Sequence, residues 1–237
     1  MQRIYLPKIN FSDTLILSEE AIYHQLTRVL RSRVWNTFIF FDGENLIDHL
    51  YEITDINSRE VALNKLETIE KTSENTTEIN LFQARPNKLS KIEYILQKGV
   101  EVWVANFCIY RSDRSQELRI SDSKQQRLEK IIKEAVEQSN RNIIPKLRIL
   151  DEMNFDIVSG EDVYLHTSLQ ASLNLKDIQI SSQESLNIWV GPEGGFSDQE
   201  IQNFNERNFK KLYLGDRVLR TETVWVVIWF LISQMFL

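Results

Sequence analysis

Glycine, cysteine and histidine are scarce in this chain: seven, one and three residues out of 237. The single Cys108 excludes an intramolecular disulfide, and with so few histidines no zinc-ligand spacing occurs. Cys108 sits in the apolar run VANFCIY, the setting of a buried core thiol. The opening stretch MQRIYLPKIN has no apolar segment of the kind a secretory signal carries. The most apolar run, Val224 to Ile232, is nine residues long, against the roughly 20 that span a bilayer. It reads as a buried terminal helix, and the chain as a cytoplasmic protein with no membrane partner. Neither G-x-G-x-x-G nor G-x-x-x-x-G-K-[ST] is present, which disfavours a phosphate cradle and a nucleotide hydrolase.

Net charge is −6, from 28 basic and 34 acidic residues, so indiscriminate nucleic-acid binding is not expected. A local patch is still allowed. Between Arg85 and Arg148 there are 14 Lys/Arg and 8 Asp/Glu, an excess of +6 within an acidic protein. Solvated helix faces would give the same count.

The first seventy or so residues read as β-rich, with FDGEN as a hairpin turn. Ahead of it, SEEAIYHQLTRVLR reads as a short helix capped by Ser18. The polar stretch KTSENTTE, Lys71 to Glu78, reads as a linker. Strands and helices then alternate. EINLFQA, VWVANFCIY, VYLH, LNIWVG and KLYLG read as strands; KLSKIEYILQKGVE, SKQQRLEKIIKEAVEQS, SDQEIQNFNER and TETVWVVIWFLI read as helices. In the second helix Leu128, Ile131, Ile132, Ala135 and Val136 fall at i, i+3, i+4, i+7 and i+8. Such alternation predicts an α/β domain with a mainly parallel sheet.

Three of the seven glycines fall within GPEGGF, Gly191 to Phe196. The loop follows the strand LNIWV and precedes SDQE, where Ser197 and Glu200 have capping-box spacing. Ligands in parallel sheets lie beyond the carboxyl ends of the strands, and glycine lets a backbone approach them closely. A second glycine, in YLGDRVLRTET, also follows a strand directly, and Thr221 could cap the helix that comes next. Two strand ends with exposed main chain could enclose a flat adenine edge and a cationic sulfonium. A tight structural turn would account for GPEGGF taken alone.

GPEGGFSDQE followed by LGDRVLRTET resembles the RsmE family of S-adenosylmethionine-dependent 16S ribosomal RNA uridine-N3 methyltransferases. HQLTRVLRSRV, FDGEN and KEAVEQSNRNIIP extend the resemblance over nearly the whole chain. It implies a SPOUT methyltransferase: an α/β, mainly parallel sheet closed by a C-terminal trefoil knot over residues 73–237. It also implies an N-terminal PUA-like β-barrel over residues 1–72 that helps hold RNA. The family's homodimers imply a homodimer here, with 16S ribosomal RNA or the small ribosomal subunit as partner and S-adenosyl-L-methionine as cofactor.

Carried over by motif, Gly191, Pro192, Glu193, Gly194 and Gly195 form one wall of the cofactor pocket. Leu214, Gly215, Val218, Leu219 and Thr221 form another, and His166 borders it from a third strand end. N3 of uracil must lose a proton, so a carboxylate near the pocket is a candidate base and a cation would stabilise the uracil anion. Glu222 and Glu193 are the carboxylates within reach; Arg220 and Arg141 are candidate cations. Arg28, Arg31, Arg33, Arg111 and Arg114 are candidate RNA contacts. Another RNA target, or an assembly protein of the same fold without catalysis, would carry the same glycine motifs.

Three tryptophans depart from the pattern. Trp35, Trp103 and Trp225 stand where the family carries something small. Overpacking at such places costs roughly 1–3 kcal/mol each. Either the protein has repacked around them, or their codons are UGA and the source organism reads UGA as glycine. The intact mass of protein from the native source separates the two, and a mass matching tryptophan at all three positions excludes the second.

Overall fold

The computed structural model describes residues 1–71, 77–155, 159–167 and 185–236, with side chains as far as residue 228. Most of the linker stretch falls outside these residues. The chain forms two compact units: Met1–Glu74 with Val136–Ile144, and Asn75–Ala135 with Pro145–Leu237.

The first unit is built on a five-stranded sheet. Its strands are β1 (Gln2–Tyr5), β2 (Thr14–Leu17), β3 (Thr37–Phe41), β4 (Ile47–Ile56) and β5 (Val61–Glu70), in the order β1-β3-β4-β5-β2. Inward residues such as Ile4, Phe38, Phe40, Tyr51, Ile53 and Leu63 make its core. The FDGEN turn forms as expected. Asp42 Oδ1 accepts from the backbone N–H groups of Glu44 and Asn45, an Asx turn that joins β3 to β4.

The helix expected from Ser18 onward is shorter than its sequence suggests. Helix α1 covers Glu20–His24, its N-cap is Glu19, and Ser18 plays no capping part. A π-helical turn, Gln25–Val29, follows. The cause is local: Thr27 Oγ1 donates to the Tyr23 carbonyl at 2.7 Å, competing for the i−4 acceptor, and the Leu30 N–H reaches back to Gln25 instead.

A buried charged clasp ties the 141–142 segment to this sheet. Arg3, 4% exposed, pairs with the fully buried Asp48 and donates to the Arg141 carbonyl and to Asn142 Oδ1. Asn142 Nδ2 donates to Asp48 at 2.7 Å, and Lys71 stands 3.3 Å from it. Each member satisfies another, which a buried charge requires.

The second unit is a six-stranded, wholly parallel sheet. Its strands are β6 (Ile79–Ala84), β7 (Val104–Tyr110), β8 (Lys146–Leu150), β9 (Glu161–Leu165), β10 (Leu186–Val190) and β11 (Lys210–Leu212), in the order β11-β9-β10-β6-β7-β8. Every residue of β6 and β10 is buried, as expected of interior parallel strands covered on both faces. Asn106, Asn80 and Asn187 lie side by side on three adjacent strands and satisfy one another at 2.7 and 2.9 Å. Among the described residues four helices accompany the sheet: α2 (Leu89–Glu101), α3 (Asp122–Ser139), α4 (Asp198–Glu206) and α5 (Thr221–Phe236). In α3, Leu128, Ile132, Ala135 and Val136 are buried as their spacing requires, and Cys108 is a fully buried thiol in β7. Among the described residues no helix is long and apolar enough to cross a membrane.

The three tryptophans divide. Trp35 takes φ +74° in a turn closed by the Asn36 N–H to the Arg33 carbonyl, and Trp103 takes φ +60° just past the end of α2. Both are left-handed positions that glycine fills at least cost, the second being the usual helix-terminating one. Trp225 is different: it is helical, fully buried in α5, and faces Gly99 of α2. A Cβ on Gly99 would lie 2.4 Å from Phe107 and 3.2 Å from the Trp225 indole nitrogen, so this glycine makes room for the indole. Trp35 is 73% exposed and has little packing to lose. Trp35→Gly is therefore expected to stabilise the protein by about 1 kcal/mol through relief of left-handed strain, read as a raised denaturation midpoint; an unchanged or lowered midpoint would contradict this.

Candidate functional site

The chain runs from β6 through β7 to β8 on one side, then returns to place β9, β10 and β11 on the other. Strand order thus reverses between β6 and β10, the arrangement that opens a crevice beyond the carboxyl ends. A cavity of about 580 Å³ lies there, within the size range of small-molecule sites. Three strand ends line it: Leu165 to Thr167 after β9, Val190 to Phe196 after β10, and Leu214 with Gly215 and Arg217 to Thr221 after β11. Lys91 of α2 and Val224 of α5 complete it.

The glycine loop owes its shape to its own hydrogen bonds. The Gly195 N–H donates to the Pro192 carbonyl at 2.9 Å, and Gly195 takes φ +69°. Gly215 takes φ +111°. A Cβ on either would meet no atom within 4 Å, so both present bare main chain at the cavity. Gly194 turns the other way, against Arg114, whose guanidinium donates to the Gly194 carbonyl at 3.2 Å. After the loop, Ser197 and Glu200 form the expected capping box at the start of α4.

Thr221 does not act as a helix cap. It is the first residue of α5, and its hydroxyl donates to the Gly191 carbonyl at 2.9 Å while accepting from Gln83 Nε2 at 2.9 Å. One hydroxyl therefore joins the end of β6, the glycine loop and the start of α5.

Arg217 and Arg220 line the cavity on the side of β11, and at another corner Lys91 meets two glutamates. Lys91 Nζ donates to Glu193 Oε1 at 2.7 Å and lies 3.6 Å from Glu222 Oε2; the Asn87 N–H also donates to Glu193. The hydrogen bond to Glu193 raises the Lys91 pKa against the opposing effect of burial. Burial would raise Glu193, but its bonds to Lys91 and to backbone N–H groups outweigh it and hold the carboxyl below the usual range. Burial, with the nearby Lys211, lowers His166, which keeps its imidazole neutral at pH 7.

All the residues assigned to the two pocket walls, together with His166 and Arg220, line this one cavity. Glu222 adjoins it through Lys91. Arg141 does not line it: it belongs to the first unit and is 3% exposed, held there by the Arg3 clasp. Arg28, Arg31 and Arg33 are exposed on the first unit, and Arg111 and Arg114 on the second. Lys91 escaped the sequence reading. A lysine on an amphipathic helix looks like any solvated lysine, and only the fold brings it to two glutamates more than a hundred residues away.

Thr221→Val keeps the shape of the side chain and removes its hydroxyl. It is expected to lower the unfolding free energy by about 1–3 kcal/mol in a urea titration, because the Gly191 carbonyl and Gln83 both lose a partner.

The RNA methyltransferase domain family matches residues 73–233. A ribosomal RNA small subunit methyltransferase E from Buchnera aphidicola is 30% identical, covering 98% of this chain and 94% of its own. The Bacillus subtilis protein of the same name is 28% identical over 94% of this chain and 92% of its own. Among solved structures, a ribosomal RNA small subunit methyltransferase E from Neisseria gonorrhoeae bound to S-adenosyl methionine superposes with a TM-score of 0.86 at 27% identity, covering 100% of this chain and 98% of that one. A parallel sheet with a main-chain-lined cavity at its reversal point, a domain match over that same unit and relatives similar along their whole length agree: the chain belongs to the RsmE family of ribosomal RNA small subunit methyltransferases.

Proposed function

We propose that the protein methylates N3 of a uridine in 16S ribosomal RNA, with S-adenosyl-L-methionine as methyl donor. The observation that carries this reading is the cavity itself. Its walls are main chain at Gly191, Gly195 and Gly215, and apolar side chains at Val190, Leu214, Val218 and Leu219. Bare backbone can pair with an adenine edge, and apolar side chains can cover its faces. Glu193 stands on the loop that would hold the sulfonium, its carboxylate paired with Lys91, while Arg217 and Arg220 line the wall that follows β11.

In this reading Gly191, Pro192, Glu193, Gly194 and Gly195 hold the cofactor from one side. Leu214, Gly215, Val218, Leu219 and Thr221 hold it from the other, with neutral His166 at the border. The cofactor supplies an electrophilic methyl group. The chain's own work is to hold the uracil in line, exclude water and take the N3 proton; positioning alone contributes a large share of such rates. Arg220, exposed at the cavity edge, contacts RNA phosphate or orients the base. Arg141, buried in the first unit, is not among the residues lining the cavity.

The wider assignment goes with this. Residues 1–72 act as a PUA-like barrel presenting Arg28, Arg31 and Arg33 to RNA, and residues 73–237 as a trefoil-knotted SPOUT domain presenting Arg111 and Arg114. The protein works as a cytoplasmic homodimer on the small subunit or its RNA.

The test is transfer of labelled methyl groups to small-subunit RNA, followed by digestion to nucleosides. The label is expected in 3-methyluridine at a single position. Label in another nucleoside would change the target. No label, from protein that still binds the cofactor, would leave an RNA-binding protein without catalysis.

A further inference from the structure

The charged corner of the cavity contains an unfinished pair. The Lys91 ammonium has three donors, and its bond to Glu193 Oε1 uses one. Its 3.6 Å separation from Glu222 Oε2 is too long for a hydrogen bond. Glu222 Oε2 is buried and accepts no hydrogen bond among the described residues. A buried carboxylate oxygen left without a donor is costly. The two side chains are only 21% and 18% exposed, so bulk water is a poor substitute. Lys91 lines the cavity with donors to spare, and beside it stands Glu222, whose Oε2 has an ion-pair contact with this ammonium but no hydrogen bond among the described residues.

Uracil presents the complement. Its imide edge sets a carbonyl oxygen, an acceptor, directly beside N3–H, a donor. Cytosine reverses this edge: its N3 has no proton, and the C4 substituent is an amino group that would point at the lysine.

We propose that Lys91 and Glu222 read the uracil edge and move its proton, an inference that rests on the methyltransferase reading above. Lys91 donates to a carbonyl oxygen flanking N3, and Glu222 Oε2 accepts N3–H. As the N3–carbon bond forms and the sulfonium carbon–sulfur bond breaks, the N3 proton passes to Glu222, and the electron pair of the broken bond stays on sulfur. The positive sulfonium and the negative carboxylate both end neutral, so charge and protons balance. Lys91 stabilises the negative charge on the uracil oxygens while the proton leaves. Glu193 is a positioning residue: it fixes the ammonium and is itself fixed by the Asn87 N–H. Glu193 is the poorer proton acceptor of the two glutamates because its Oε1 already takes two hydrogen bonds.

The test compares Glu222→Gln, Lys91→Met and Lys91→Arg with the parent protein by two readouts. The first is the pH profile of methyl transfer to small-subunit RNA, with cofactor affinity measured by calorimetry as the folding control. Glu222→Gln is expected to bind the cofactor within a few-fold of the parent. It should lose about 10²–10⁴-fold in rate near neutral pH, and then gain about tenfold per pH unit as hydroxide takes over the proton. Lys91→Met should fall comparably, and Lys91→Arg should recover part of the loss. The second readout needs no turnover: ligand-observed NMR with uridine and cytidine 5′-monophosphates. The parent should prefer uridine monophosphate by about tenfold, and both Lys91→Met and Glu222→Gln should lose the preference. Variants that methylate at the parental rate with the parental pH profile, or a parent that binds the two nucleotides equally, would overturn the proposal and leave the pair a structural clamp. Absence of methyl transfer by the parent itself would overturn the methyltransferase reading, and the proposal with it.

Discussion

The Thr221 hydroxyl sits where three segments distant in sequence must agree. It donates to the Gly191 carbonyl and accepts from Gln83, so the start of α5, the glycine loop and the end of β6 are fixed by one oxygen. The cavity exists because those segments are held at that spacing. The glycine loop shapes itself through the Gly195 N–H to Pro192 bond, but Gly195 has no side chain to pack, and the Thr221 hydroxyl anchors the loop to its neighbours. Freedom in the loop and constraint at Thr221 are two halves of one device: main chain is bared to a ligand, and a buried hydroxyl keeps it from collapsing.

The electrostatics follow the same division. Exposed arginines lie on both units, while the acidic groups that matter gather at the cavity's inner corner around Lys91. A protein of net charge −6 can thus carry local groups of exposed arginines and still gather carboxylates around a single lysine. Burial depresses His166 and leaves it neutral, which keeps a further positive charge away from a cationic cofactor.

Much of this was legible in the sequence, for physical reasons. The short apolar runs of β6, β7 and β10, each with an asparagine in it, read as strands, and their alternation with helices pointed to a mainly parallel sheet. Ser197 and Glu200 announced α4 through capping chemistry, and Asp42 announced the β3–β4 turn. LNIWV before it and SDQE after it mark the glycine loop as a strand-end loop, although its ligand follows from family resemblance rather than from spacing. What the sequence hid depends on distance along the chain. Thr27 breaks α1 by bonding back to Tyr23, a choice that helix periodicity does not register. Arg141 looked like a free cation until the Arg3–Asp48 clasp drew its segment into the first unit. Lys91 had no motif, because its partners lie 102 residues or more away.

The central claim is that the cavity beyond β9, β10 and β11 holds S-adenosylmethionine. Calorimetric titration of the full chain with the cofactor tests it most directly, beside Gly195→Trp, a substitution that sends an indole into space where no protein atom lies within 4 Å of the Cβ. Saturable binding at one site per chain, abolished in a variant that still unfolds cooperatively, is the predicted result. Equal binding by the folded variant would put the cofactor elsewhere, and no binding by the parent protein would contradict the account.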